Sequence, residues 1–149
     1  MRILPEETGA VVIDMQEKLM MAMNETKACE EKAAMLLKGL QVLSIPTVIV
    51  QQYTKGLGET VPAMKEAIGA FEPMEKTAFS AMGCDAFVEW VKAQGKKTIL
   101  VCGVEAHICV LQSIIDLIGE GYRVFIVADC VGSRVVYNKE YAIQRAVQE

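Results

Sequence analysis

Thr98-Ile99-Leu100-Val101-Cys102-Gly103-Val104-Glu105-Ala106-His107-Ile108-Cys109-Val110 holds the key to the architecture. Residues 97–102 form a short aliphatic run of the kind found in a strand buried on both faces. Gly103 interrupts it, and from 108 to 118 the apolar residues return at helical spacing. A buried strand that passes through a glycine into a buried helix is half of a parallel crossover unit. Cys109 lies at that handover, where its sulfur is expected to meet the positive end of the helix and to favour the thiolate.

The same alternation extends in both directions. Gly9-Ala10-Val11-Val12-Ile13-Asp14 reads as a buried strand ending in a carboxylate. Helical spacing follows over 17–42, with a break near Asn24-Glu25-Thr26 where Thr26 is a candidate cap for a second helix. After Pro46 comes a strand over 47–51, then a glycine-bearing loop over 53–58 and a short helix opened by Pro62. A third strand is predicted over 75–79, and an amphipathic helix starts at Ser80 or Asp85 and stops at Gly95. Beyond the central unit, Gly121 ends the buried helix, a fifth strand covers 122–128, and a last helix covers 138–148. Strands alternating with helices predict a three-layer α/β/α fold on a parallel sheet. In such sheets ligands gather at the carboxyl ends of the strands, where Asp14, Gln51, Lys76, Gly103 and Asp129 all fall.

Bulk properties narrow the function classes. The 149 residues suit one domain, residues 1–149, with a core of real size. A net charge of −4 with scattered lysines gives no basic stripe, so a nucleic-acid partner is not expected. No apolar run reaches about 18 residues, and no membrane span is expected. The five cysteines show no Cys-x-x-Cys pair, and their odd number argues for reduced thiols and a cytoplasmic setting. The last helix has no strand after it to cover its inner face. This suggests a further strand that the chain lacks, and truncation at the C-terminus.

Each candidate has an ordinary alternative. A lone cysteine is commonly a small buried hydrophobe, and Cys29, Cys84, Cys102 and Cys130 are read that way. Cys109 stands apart by its position. Asp14 could serve as a helix cap with Glu17 three residues on, or handle protons at the sheet mouth. Lys76 could be a surface lysine beside Glu75, or could orient the acid and bias the thiol by charge. His107, the single histidine, reads as a pocket or capping residue rather than as the base. One histidine and dispersed cysteines do not make a zinc site, and no metal or cofactor is expected.

Five stretches occur in the order of a known family's signatures: Val-Ile-Asp-Met-Gln-Glu-Lys-Leu (12–19), Gln-Gln-Tyr-Thr-Lys-Gly-Leu-Gly (51–58), Glu-Lys-Thr-Ala-Phe-Ser (75–80), Gly-Val-Glu-Ala-His-Ile-Cys-Val (103–110) and Asp-Cys-Val-Gly-Ser-Arg (129–134). Together they resemble the isochorismatase-like cysteine hydrolases, most closely the isochorismatase-domain-containing branch. The resemblance implies strand order 3-2-1-4-5-6, with the sixth strand beyond residue 149. It implies a triad of Asp14, Lys76 and Cys109, and a cis peptide at Val104-Glu105. That bond would aim the amide of Glu105, with that of Cys109, at one point as an oxyanion hole. Nicotinamidases of the superfamily carry an Asp-x-His metal motif after the second strand, and Gln51-Gln52-Tyr53 stands there instead. True isochorismatases lack the cysteine, so its presence points to acyl transfer.

The expected activity is therefore hydrolysis of a small-molecule amide through a thioester on Cys109. Leu19, Gln52, Tyr53, Phe79 and His107 lie near the mouth by position and are the expected pocket. A homo-oligomer is expected from the family and the apolar content. Two rivals come from other classes: a catalytically weak interaction or scaffold protein on the same fold, and a thiol-based redox sensor.

Overall fold

The computed structural model describes residues 2–149. Five strands form one sheet in the order β3-β2-β1-β4-β5. They are β1 (Thr8–Ile13), β2 (Thr47–Gln52), β3 (Met74–Lys76), β4 (Thr98–Val104) and β5 (Arg123–Gly132). Every pairing is parallel, with Ile13 opposite both Val50 and Gly103. The helices are α1 (Glu17–Met20), α2 (Thr26–Val42), α3 (Thr54–Leu57), α4 (Pro62–Ile68), α5 (Asp85–Gln94), α6 (Leu111–Gly119) and α7 (Val136–Gln148). None among the described residues is long and apolar enough to cross a membrane.

The two-residue period of a strand divides β1 between two cores. Val11 and Ile13 join Val48, Val50, Ile99 and Val101 against Phe87 and Val91 of α5 and Ile114 and Leu117 of α6. Val12 turns the other way, with Ile49 and Cys102, onto Ala33 and Leu37 of α2 and Met64 of α4. This is the three-layer arrangement read from the alternation of strands and helices. β1 is buried along its whole length, which explains why its sequence runs apolar without a break from Gly9 to Ile13.

Several local expectations are corrected. The third strand stops at Lys76 rather than at Phe79. Its ammonium bonds the carbonyls of Ala78 and Phe79, and so curls those residues away from the sheet. The helix predicted from Ile108 begins instead as a π-helical turn, Ala106–Val110, and only then becomes α6. Thr26 is the first residue of α2, not its cap. Its hydroxyl donates backwards to the carbonyls of Met20 and Met23, which closes the break between α1 and α2. Strand β5 runs on to Gly132, α7 starts at Val136, and the 53–58 loop contains the single turn α3.

Candidate active site

Asp14 follows the last residue of β1 with φ 54°, a left-handed conformation that Asp tolerates better than most residues. Its carboxylate does not cap α1. The cap position belongs to Gln16, and no side chain there bonds the helix amides. Instead Asp14 Oδ2 accepts from Lys76 Nζ at 2.8 Å. Lys76 ends β3, two strands away in the sheet. Its Nζ also donates to Gln52 Oε1 at 2.7 Å and to the carbonyls of Ala78 and Phe79 at 3.1 and 2.9 Å. Four acceptors surround an ammonium with three protons, so the charged form is well solvated by the protein.

Gln52 is thus a partner of Lys76 as well as a residue near the mouth. It is fixed in turn by the buried Gln16, whose Oε1 accepts from the Gln52 N–H at 2.6 Å and whose Nε2 donates to the Gln52 carbonyl at 2.8 Å. Gln51 is tied off separately, accepting from both the N–H and the hydroxyl of Thr60. The sequence reading gave Gln16 no role and so missed this brace. Its presence beside a strand-ending acid was the available signal.

Cys109 lies within the π turn, and its thiol interacts with both members of the pair. Asp14, Lys76 and Cys109 are 0, 2 and 8% exposed. Asp14 Oδ1 is buried and accepts no hydrogen bond among the described residues, and the Cys109 thiol interacts with this carboxylate. Burial pushes the Asp14 carboxyl above its usual range, against the pull of Lys76 and Cys109. Burial and then the charge of Asp14 push the Cys109 thiol up to about 12, with Lys76 pulling the other way. The shift runs against the expected resting thiolate: desolvation and a neighbouring carboxylate outweigh the ammonium. What the site holds is a protonated thiol beside a base of raised basicity.

The turn around Cys109 is well anchored. The Cys109 carbonyl accepts from Ser113 Oγ at 2.6 Å, and the same oxygen of Ser113 accepts from the Ala81 N–H at 2.8 Å. The peptide Val104-Glu105 is cis. Of the residues assigned to the mouth, Tyr53 and Phe79 are 51 and 57% exposed, while Leu19 and His107 are half-buried. His107 Nδ1 shares a 3.0 Å hydrogen bond with Ser133 Oγ, which turns its ring toward the end of β5. Cys29, Cys84, Cys102 and Cys130 are free and buried in packing positions. A groove of about 600 Å³ between α2 and α4, lined by Lys27, Glu31, Met35 and Ala63, lies away from this site.

The family model of the Isochorismatase domain matches residues 8–149. Isochorismatase domain-containing protein 1 of Danio rerio is 36% identical over 132 residues, covering 89% of this chain and 46% of its own length. Isochorismatase domain-containing protein 2 of Bos taurus is 34% identical over 148 residues, with 99 and 70% covered. A solved structure of the MAR1 ribonuclease of Caenorhabditis elegans superposes with a TM-score of 0.92 at 34% identity, covering 99% of this chain and 76% of that one. The chain spans about half the length of the type 1 relatives it matches, 46 and 50%.

Proposed function

The chain belongs to the isochorismatase family, and from that premise we propose that it is a cysteine-dependent hydrolase of a small-molecule amide. Cys109 is the nucleophile, Asp14 the general base and acid, and Lys76 the cation that orients Asp14. The observation that carries this reading is the grip on Asp14. One oxygen is held by Lys76, the other, Oδ1, is buried and accepts no hydrogen bond among the described residues, and the Cys109 thiol interacts with the same carboxylate.

The raised affinity of both groups for protons decides the order of events. A thiol pushed up to about 12 does not ionise ahead of attack at neutral pH. The proton moves from Sγ to Asp14 as the Sγ–C bond forms, and the carbonyl electrons move onto oxygen. The N–H groups of Glu105 and Cys109 receive that oxyanion, a contribution of roughly 3 kcal/mol for each well-placed donor. Asp14 returns its proton to the leaving nitrogen as the C–N bond breaks, which leaves a thioester. A water then gives its proton to Asp14 and attacks the thioester, and the departing sulfur recovers that proton. Every proton is returned, and the cycle calls for no metal or cofactor.

The nematode neighbour is described as a ribonuclease. RNA is a polyanion, and a net charge of −4 with dispersed lysines favours a small neutral amide for this chain. The five unpaired thiols support a reducing, cytoplasmic setting. Exposed Met35, Leu43, Tyr137, Tyr141 and Val147 support a homo-oligomer, which sedimentation would test.

A screen of small amides, with RNA as a parallel substrate and Cys109→Ala as control, tests the reading. The expected result is amide turnover with an acyl adduct on Cys109 by mass spectrometry. Undiminished turnover by the variant, or RNA cleavage alone, overturns it. A second reading, an interaction protein with little turnover, draws on the low exposure and high proton affinity of Cys109. It predicts no adduct with any acyl donor.

A further inference from the structure

Two contacts tie the turn that carries Cys109 to the segment after β5, and neither involves Asp14 or Lys76. Glu105 follows the cis bond, and its side chain is only 9% exposed. Its Oε1 lies 3.0 Å from Arg134 Nε, and its Oε2 accepts from the Arg134 backbone N–H at 3.2 Å. A single residue therefore holds both carboxylate oxygens, one through its side chain and one through its main chain. The second contact is the His107–Ser133 hydrogen bond. Ser133 is buried, and its carbonyl accepts from the Asn24 N–H, so the anchoring segment is itself fixed to the chain leading into α2.

Glu105 is the hub of the turn. Its carbonyl accepts from the N–H groups of Ile108 and Val110 at 3.0 and 3.2 Å. The carboxylate bears on the Glu105 N–H through three side-chain torsions and the position of the Cα they share. Without the guanidinium, Oε2 keeps the backbone N–H but Oε1 loses its cationic partner, and a buried carboxylate so stripped is drawn toward water. That movement rotates the N–H as well. Arg134 is 58% exposed in its side chain, so it contributes little to core packing. Its evident effect is the grip on Glu105.

Resting on the hydrolase reading above, we propose that Arg134 is a positioning residue. Through the Glu105 carboxylate it fixes the peptide plane whose N–H, with that of Cys109, receives the oxyanion. The family signature over 129–134, which no step of the mechanism uses, gains a task by this assignment. Lysine is a poor substitute, because the contact runs through Nε, one bond nearer the backbone than a lysine ammonium and fixed in the guanidinium plane.

The test compares two reactions of Cys109 in the full chain. Acylation by p-nitrophenyl acetate passes through an oxyanion, whereas alkylation by iodoacetamide at a saturated carbon does not. In Arg134→Ala, kcat with p-nitrophenyl acetate is expected to fall about 100-fold, with KM within about threefold and alkylation within about twofold of the parent. Millimolar guanidinium should restore part of the lost rate, while Arg134→Lys restores little. Glu105→Gln should show the same loss without rescue, and it carries the comparison if Arg134→Ala does not fold. Lys27→Ala, which breaks an exposed pair with Glu31, should change nothing. An unchanged kcat, a parallel fall in alkylation, or no response to guanidinium overturns the assignment while leaving the hydrolase reading intact. Absence of an acetyl adduct on Cys109 in the parent protein overturns both.

Discussion

Lys76 Nζ lies 2.8 Å from Asp14 Oδ2 although both side chains are fully buried. The pair joins the ends of β1 and β3 across the end of β2, where Gln52 supplies a further acceptor. For Asp14 the cost of burial exceeds the attraction of the ammonium, since its carboxyl is shifted upward rather than downward. A pair in that condition is a poor source of stability. In the proposed mechanism its effect is to hold a base of raised proton affinity at one orientation.

Removing only the cation should therefore be more damaging than the pair is stabilising. Lys76→Met leaves Asp14 buried without a counter-charge and is expected to cost about 3–5 kcal/mol. Urea unfolding at neutral pH measures it. A loss within error of zero would mean that water reaches Asp14 freely.

Activity should fail on the acid side at a pH above the ordinary carboxylate value of about 4. The proposed mechanism needs Asp14 ionised, and burial has moved its titration upward. Stability runs in the opposite direction. The folded chain binds this proton more tightly than the unfolded one, so the contribution is complete below about 3.9 and is lost as pH rises through the folded value. Asp14→Asn, which cannot ionise, should gain on the parent between pH 4 and 7 while losing turnover. An unfolding free-energy difference that is flat with pH would contradict the shift.

The thiols predict a second loss at high pH. Cys109 and Cys130 are pushed up to about 12, and Cys29 to about 11, chiefly by burial. Their stabilising effect is full below the free-thiol value of about 8.5 and disappears as pH climbs through the folded values. Without substrate, alkylation of Cys109 should keep rising with pH and show no plateau below about pH 9. An early plateau would restore the resting thiolate expected from the sequence.

Gly103→Ala should prevent normal folding. Gly103 has φ +126°, and an added Cβ would lie 2.0 Å from the Ile13 carbonyl oxygen and 2.6 Å from its nitrogen. Backbone on a paired strand has no room to yield. The expected loss exceeds about 4 kcal/mol, read as a collapse of soluble yield or a large fall in thermal midpoint.

Ser113→Ala removes one hydroxyl that both holds the Cys109 carbonyl and satisfies the Ala81 N–H. It should cost about 1–3 kcal/mol, because it leaves a buried donor unpaired. Chemical denaturation checks this, and Ser113→Thr should recover part of it.

The order of strands and helices, the buried nature of β1 and β4, and the two-faced core were legible along the chain. They follow from apolar periodicity, which depends on neighbours only a few residues apart. Asp14 and Lys76 could be marked as strand-end residues by the same signal, and Cys109 as lying where a strand hands over to a helix. Gln16 and Arg134 could not be given their partners that way. Gln16 meets Gln52 and Arg134 meets Glu105 at separations of 36 and 29 residues. Hydrogen bonds at such distances leave no pattern in the local sequence.

Tertiary structure alone decided the ionisation of Cys109. Near a helix start, an isolated thiol would be drawn toward the thiolate. Enclosure beside Asp14 reverses that preference, because the loss of water and a fixed negative charge both favour the proton. Local spacing determined where the sulfur stands in the chain. How much water and how many charges surround it depended on three strand ends meeting in space.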